Sequence, residues 1–390
     1  MKRTRFARRS GLPQDASLLT RLAMGLALSA SRVEDRYWET RLTAQVARLL
    51  SERSEEALNA ALDHLWKDNP QAYDELADFI EAGVECGLPN PNDETPDAVV
   101  FAAPLLAWSR YSIPAGPIPA PLLDTIRTQL GAHVLGGKAR IALADYLFSP
   151  DQLPRAYVEA RDLADDLGEA ALVGKDLKLE AEAMAQTDSF LSDTRYIIGI
   201  ALAPRGEALF RWQEDDGSRD EAIKQWQIQG GAAVASMLQG CSIEMLPPNA
   251  FHSACRDADR ASRAFSLRAS VSFLGAALNV EPAGLRAVIA PFHEQQLEEY
   301  RIGFTLGKTS EIVHGVVWAL LGAEDEESDV LGEIEGVLKE CGVTDMLVLD
   351  HRMPMEYCDD CGAPLYADPD GQPVHAELPE TAEQSSSHLH

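Results

Sequence analysis

Apolar residues recur at helical spacing through the first part of the chain. Leu18 and Leu22 lie four residues apart, and stripes of the same spacing continue beyond them. Asn69 followed by Pro70 is a typical helix start, because the asparagine caps free amide groups and proline suits the first turn. The pattern predicts an α-helical domain over residues 15–88, ended by a segment rich in Asn and Pro turn residues.

Beyond this segment, short apolar runs of β-strand length alternate with single helical stretches. The alternation indicates a fold of the mixed α+β or α/β class. The strand-like runs cover residues 98–108, 196–202, 209–212, 288–292, 300–306 and 312–320. We therefore expect a helical N-terminal domain followed by a larger part that contains β-sheet.

Three tryptophans indicate an internal repeat. Trp108, Trp212 and Trp318 each end an apolar run, and a turn, a helix and a strand follow each of them. The best local match joins Tyr-Ile-Ile-Gly at Tyr196 to Tyr-Arg-Ile-Gly at Tyr300. The pattern predicts three internally repeated strand-helix-strand units. The predicted divisions are a basic disordered arm at 1–14, the helical domain at 15–88, repeat units at 96–190, 191–290 and 291–376, and a disordered tail at 377–390.

The chain carries a large negative charge. It has 62 Asp and Glu residues against 34 Lys and Arg residues, a formal net charge of −28, which disfavours generic binding to nucleic acid or anionic membranes. The start of the chain is the exception, because it holds a cluster of cations with no acid among them. These cations are Lys2, Arg3, Arg5, Arg8 and Arg9. This arm is either a disordered, solubilising terminus or a salt-sensitive contact to RNA or a ribosome.

The sequence also bears on the location of the protein. No apolar run is long enough to cross a bilayer, and polar residues interrupt the stretch after the basic arm. Six cysteines, most of them scattered, are typical of reduced thiols in a cytoplasmic protein. We therefore expect a cytoplasmic protein without a signal peptide or a membrane contact.

One cysteine pair has the spacing of a metal site. Cys358 and Cys361, followed by a glycine, have the pattern of a zinc knuckle, in which two thiolates bind one side of a tetrahedral ion. A structural zinc ion takes four ligands, and His375 with either His351 or Cys341 would complete the set. Free thiols in a surface turn, or a redox dithiol, are the alternative interpretations. The candidate cofactor is therefore a structural zinc ion.

Histidines and an acid at strand ends suggest a second kind of site. Asp350 and His351 follow one predicted strand, His293 ends another, and His252 follows a third. Strand ends are common positions for catalytic groups in α/β proteins, and imidazole binds transition metals. These four residues are the candidates for a metal-dependent, hydrolase-like enzyme. The alternative is that they are separate surface or packed histidines, because no paired histidine motif occurs.

Several stretches of the sequence carry a family resemblance. They begin at Arg32 (RVEDRYWE), Ala107 (AWSRY), Phe148 (FSPDQLP), Phe190 (FLSDTRY) and Cys358 (CDDCGAPLY). The chain resembles a betaproteobacterial family of proteins of unknown function, over nearly its whole length after the basic arm. The resemblance implies a bacterial cytoplasmic protein, and it brings no activity, ligand or catalytic residue.

The motifs of common cofactor enzymes do not occur in the sequence. It contains no phosphate-binding glycine loop, no nucleophile elbow and no dinucleotide fingerprint. Our first functional hypothesis is therefore a non-catalytic interaction or regulatory protein with a protein partner. The metal-dependent enzyme and the RNA- or ribosome-associated protein are the alternatives.

Overall fold

A computed structural model describes residues 12–86, 96–187 and 190–379 of the chain. Helices and strands both contribute substantially, so the mixed α+β class predicted from the sequence is confirmed. The cations of the basic arm and the end of the predicted tail lie outside the described residues.

Four helices form a layer at the start of the described chain. They are α1 (Gln14–Ala27), α2 (Arg32–Ser51), α3 (Glu55–Asp68) and α4 (Pro70–Glu85). The cap predicted at Asn69 is present, because its side chain accepts a hydrogen bond from the amide of Ala72. The apolar faces of these helices pack against one another and share a core with one face of the first sheet.

The first sheet is antiparallel and two long strands form its centre. Its strands are β1 (Asp97–Trp108), β2 (Gly116–Pro117), β3 (Arg140–Phe148), β4 (Ser192–Ala203), β5 (Ser242–Met245) and β6 (Asn249–Ala250). The order is β2-β3-β4-β1-β5, and β6 also pairs with β1. Both faces of β1 and β4 are covered, which explains why the two strands read as continuous apolar runs.

Helices cover both faces of this sheet. They are α5 (Ala120–His133), α6 (Tyr157–Leu172), α7 (Arg219–Gln225) and α8 (Gly231–Val234), with one π-helical turn at Trp226–Gly230 between the last two. Helix α5, the π-helical turn and α8 contribute to the core on one face, and α1–α4 and α6 lie on the other. The sheet is therefore the middle layer of three.

The second sheet carries the candidate site. Its strands are β7 (Leu285–His293), β8 (Leu297–Leu306), β9 (His314–Ala319), β10 (Asp345–Val348) and β11 (Met353–Pro354), and α10 (Val330–Glu340) connects β9 to β10. The order is β10-β7-β8-β9, with β10 parallel to β7. Helix α10 packs on one face, and the C-terminal segment covers the other with the hairpin β12 (Tyr366–Ala367) and β13 (Pro373–Val374).

A long helix, α9 (Phe251–Leu278), joins the two sheets. Its first half contributes Ala254 and Ala258 to the core of the first sheet, whereas its second half contributes Leu267 and Val271 to the core of the second. The sequence pattern did not reveal this helix, because its small and polar residues give no continuous stripe. Its packing fixes the two sheets relative to one another.

One predicted strand is wrong. Residues 209–212 form a turn that ends in a short 3-10 helix at Arg211–Gln213, and Phe210 makes only a single bridge, to Leu135. The side chain of Gln213 accepts hydrogen bonds from the amides of Leu209 and Phe210, which are 2.9 Å away. These hydrogen bonds use the two backbone amides that would otherwise pair with a neighbouring strand. The second of the three predicted units therefore lacks this strand, and the repeat remains a prediction.

Parts of two segments that were predicted to be disordered pack against the rest of the protein. Leu12 lies against the core, although the sequence places it in the basic arm. Glu377 donates its amide to the carbonyl of Ile312 at 2.9 Å, and Leu378 packs beside the second sheet, although both fall in the predicted tail. Among the described residues, no helix is long and apolar enough to cross a membrane.

Candidate metal centre

A tight hairpin presents the two cysteines of the Cys-x-x-Cys pair. The amide of Cys358 donates to the carbonyl of Ala363, and the amide of Gly362 donates back to the carbonyl of Cys358, both at 2.8 Å. Gly362 has a φ of 72°, a conformation that glycine adopts without strain. This turn is why both sulfur atoms lie on the same side of the hairpin.

A third ligand comes from the strand hairpin that follows. His375 lies directly after β13, and its Nε2 atom is 3.2 Å from Sγ of Cys361. The ligand atoms of Cys358, Cys361 and His375 all lie within 4.8 Å of one another. Ligand atoms around tetrahedral zinc are separated by about 3.5–3.8 Å, as bonds of about 2.0–2.3 Å require. The three donors therefore need only small movements to bind one ion, and the group could hold a metal.

The surroundings of Cys358 favour its thiolate form. The amides of Cys361 and Asp360 point to the sulfur, and with the Cys361 side chain they lower the pKa of the Cys358 thiol. The thiolate is the form that binds metals. Glu377 Oε1 lies 3.5 Å from Nδ1 of His375. A carboxylate at this place commonly orients an imidazole that binds a metal through its other nitrogen.

A buried arginine holds the base of the cysteine hairpin. Arg301, in the middle of β8, is fully buried, and its Nη1 donates to the carbonyls of Glu356 and Leu365, both at 2.6 Å. These carbonyls belong to the two arms of the hairpin. Its charge is balanced by Glu299, whose Oε1 is 2.6 Å from Nε. The guanidinium centre lies 4.2 Å from the ring centre of Phe292. Arg301 therefore fixes the hairpin to the sheet.

The two residues proposed to complete the zinc site lie elsewhere. His351 is exposed and its ring rests against Gly371, where a β-carbon would overlap it. Cys341 follows the last residue of α10 and packs beside the core, where burial raises the pKa of its thiol. Neither residue belongs to the cluster of three ligand atoms, so the structure brings together Cys358, Cys361 and His375 only.

The four strand-end candidates do not form one cluster. His252 lies in the first turn of α9, near the first sheet, where its Nδ1 is 2.9 Å from Oε1 of the buried Glu85. His293 ends β7, and Asp350 and His351 follow β10, its parallel neighbour. Among the described residues, Cys358, Cys361 and His375 form the one group of three possible metal ligands. The four candidates thus supply no such group.

The sequence analysis missed Arg301, Glu299 and Glu377. The sequence does contain a signal for Arg301 and Glu299. An acid two residues before an arginine inside an apolar strand places both side chains on the same face of the sheet. The first sheet has the same arrangement, in which Arg195 of β4 pairs with Asp193 and donates to the carbonyls of Ile113 and Pro114. Buried arginines thus fasten irregular segments to both sheets.

The fold and the site define a mixed α+β protein with a surface Cys2His group in the segment that covers one face of its second sheet. The family model described as "Protein of unknown function (DUF2863)" matches residues 4–389, nearly the whole chain. The chain belongs to this family. No curated protein and no solved structure matches the chain.

Proposed function

We propose that this chain is a zinc-binding protein with a non-catalytic, interaction or regulatory role, and that Cys358, Cys361 and His375 hold the ion. The observation that carries the proposal is the convergence of two sulfurs and one imidazole nitrogen within 4.8 Å. Soft thiolates with an imidazole form a donor set that suits Zn²⁺, and a water molecule would take the fourth position of the tetrahedron.

The ion would act as a cross-link within the C-terminal segment. Residues 353–376 cover an apolar face of the second sheet, where Tyr366 and Met353 are buried against Val288 and Phe292. The two cysteines lie in the first hairpin of this segment, and His375 follows the second. A bound ion therefore ties the two hairpins together in a region that has little regular secondary structure.

A non-catalytic role is supported by where the ligands lie. The side chains of Cys361 and His375 are exposed and Cys358 is half-buried. The ion would thus sit on a surface turn, whereas catalytic sites usually occupy clefts that enclose a substrate. A surface knuckle gives a rigid shape for a protein partner to recognise. Six free cysteines suit a reducing, cytoplasmic compartment.

Elemental analysis tests this proposal. The untagged full-length protein, purified in reductant without chelator and offered zinc, should contain about one zinc ion per chain. Cys358→Ser, Cys361→Ser and His375→Ala should each lose most of it, because two donors hold zinc weakly. Cys341→Ser and His351→Ala are matched controls that should keep the ion. A wild-type chain without zinc, or ligand variants that retain it fully, would contradict the proposal.

A further inference from the structure

The two proposed zinc ligands of the hairpin are also placed to react with each other. The sulfurs of Cys358 and Cys361 lie within 4.8 Å, on a turn whose main chain already closes the Cys-x-x-Cys loop. A disulfide needs the sulfurs about 2.05 Å apart, which rotation of two surface side chains brings within reach. Zinc and a disulfide therefore compete for the same two atoms.

We propose that Cys358 and Cys361 form a redox modification site, at which a peroxide converts the pair to a disulfide and expels the zinc ion. The inference rests on the proposed zinc site. Both sulfurs are thiolates when they bind zinc, so exposure decides which of them reacts first. The exposed sulfur of Cys361 meets the peroxide, and the half-buried Cys358 resolves the intermediate.

The chemistry is balanced with hydrogen peroxide as oxidant. The Cys361 sulfur attacks one peroxide oxygen, the O–O bond breaks, and a sulfenic acid and hydroxide form. The Cys358 thiolate then attacks the Cys361 sulfur, the S–S bond forms, and the sulfenic oxygen leaves as hydroxide. Two protons from the solvent convert the two hydroxides to water. Two sulfurs lose two electrons in total, and the peroxide gains them.

Zinc leaves because its ligands lose their charge. Two thiolates balance the charge of Zn²⁺, whereas the disulfide is neutral and leaves His375 as the remaining ligand of the cluster. One imidazole on the surface holds zinc weakly. The reaction is reversible, because a dithiol reductant restores both thiolates.

The structural effect should be local. Without zinc, the link between the cysteine hairpin and His375 is lost. The base of the hairpin stays bound through Arg301, and Tyr366 stays packed on Gly315. Glu377 stays bonded to Ile312. Residues 357–364 should therefore loosen while the second sheet keeps its fold.

The remaining cysteines are poor competitors for the oxidant. Burial raises the pKa of all four thiols, and that of Cys255 to about 12. A protonated thiol reacts slowly with peroxide. The cysteines of this group are Cys86, Cys241, Cys255 and Cys341.

The test treats the zinc-loaded full-length protein with hydrogen peroxide after the reductant is removed. A chromogenic chelator reports released zinc, and mass spectrometry of alkylated peptides reports the Cys358–Cys361 disulfide. We expect about one zinc released per disulfide formed, rebinding after dithiothreitol and added zinc, and faster hydrogen exchange confined to residues 357–364. Cys86→Ser, which removes a cysteine outside the site, should respond as the wild type does.

Two outcomes would overturn the inference while leaving the zinc site intact. Zinc could stay bound in excess peroxide, or it could leave with sulfinic and sulfonic acids and no disulfide. Metal analysis before the peroxide step separates these from failure of the zinc proposal. A chain that contains no zinc under reducing conditions would remove both proposals.

Discussion

The Sγ atom of Cys361 and the Nε2 atom of His375 lie 3.2 Å apart, although the two residues are fourteen positions apart in sequence. The hairpin β12–β13 between them returns the chain to the cysteine turn. The contact therefore exists because of how the C-terminal segment folds on the second sheet. Stability of that segment and metal binding should depend on each other.

Arg301 should position the metal site without touching the ion. Arg301→Lys keeps the charge but removes the fork of donors that reaches both arms of the hairpin. We expect zinc affinity to fall about 10-fold or more, as measured by competition with a chelator of known affinity.

Arg195→Lys is the matched control for that variant. Like Arg301, Arg195 is buried and pairs with an acid two residues earlier in its strand. It also donates hydrogen bonds to main-chain carbonyls of the segment that follows β1 in the first sheet. Both variants should lose about 1–3 kcal/mol of unfolding free energy. Zinc affinity should fall only in Arg301→Lys, and equal affinity in the two variants would contradict the role given to Arg301.

Gly315 should be required for the C-terminal segment to pack. A β-carbon at this position of β9 would overlap the ring of Tyr366. Gly315→Ala must displace that ring or the strand, and we expect a loss of about 1–3 kcal/mol in urea unfolding. Gly336→Ala, in α10 with open space around it, should instead be neutral or stabilising by up to about 1 kcal/mol. Equal effects of the two substitutions would argue against this packing.

His314 should make the protein less stable in mild acid. Its imidazole is buried beside Ser270, and burial lowers its pKa from 6.5 to about 4. Between these values the unfolded chain binds a proton that the folded chain does not, so unfolding becomes easier as pH falls. We expect His314 to lower the free energy of unfolding by about 2 kcal/mol as the pH falls from 7 to 5.

Urea unfolding of the wild type and of His314→Gln at both pH values measures that contribution. The variant should lose less unfolding free energy on acidification than the wild type. His64→Gln, which removes an exposed histidine of α3, is the matched control for the loss of an imidazole. A wild type and a His314→Gln variant with the same pH dependence would show that His314 does not titrate in this way.

Local patterns predicted local structure well. The four N-terminal helices, the long apolar strands and the cap at Asn69 follow from periodicity and turn chemistry, which depend on residues close in sequence. The cysteine turn is equally local. His375 was a candidate because its residue type suits zinc, and the structure places it beside Cys361.

Contacts between distant residues could not be predicted in the same way. His351 and Cys341 were as plausible as His375 from residue type, but the position of each depends on which strands pair. Arg301 was not predicted, because an arginine in an apolar run suggests a position at an exposed edge. In the structure its guanidinium group is buried, and two main-chain carbonyls and Glu299 accept its hydrogen bonds. The extent of α9 also depends on both sheets, since each buries one half of it.

Cobalt substitution tests the central claim most directly. Co²⁺ that replaces zinc in the reduced, full-length protein absorbs visible light in a way that reports tetrahedral geometry and thiolate ligation. The account predicts saturation at about one Co²⁺ per chain with thiolate-to-cobalt bands, weakened in Cys361→Ser, altered in His375→Ala and unchanged in Cys341→Ser. A spectrum without thiolate bands, or one that Cys361→Ser leaves unchanged, would contradict it.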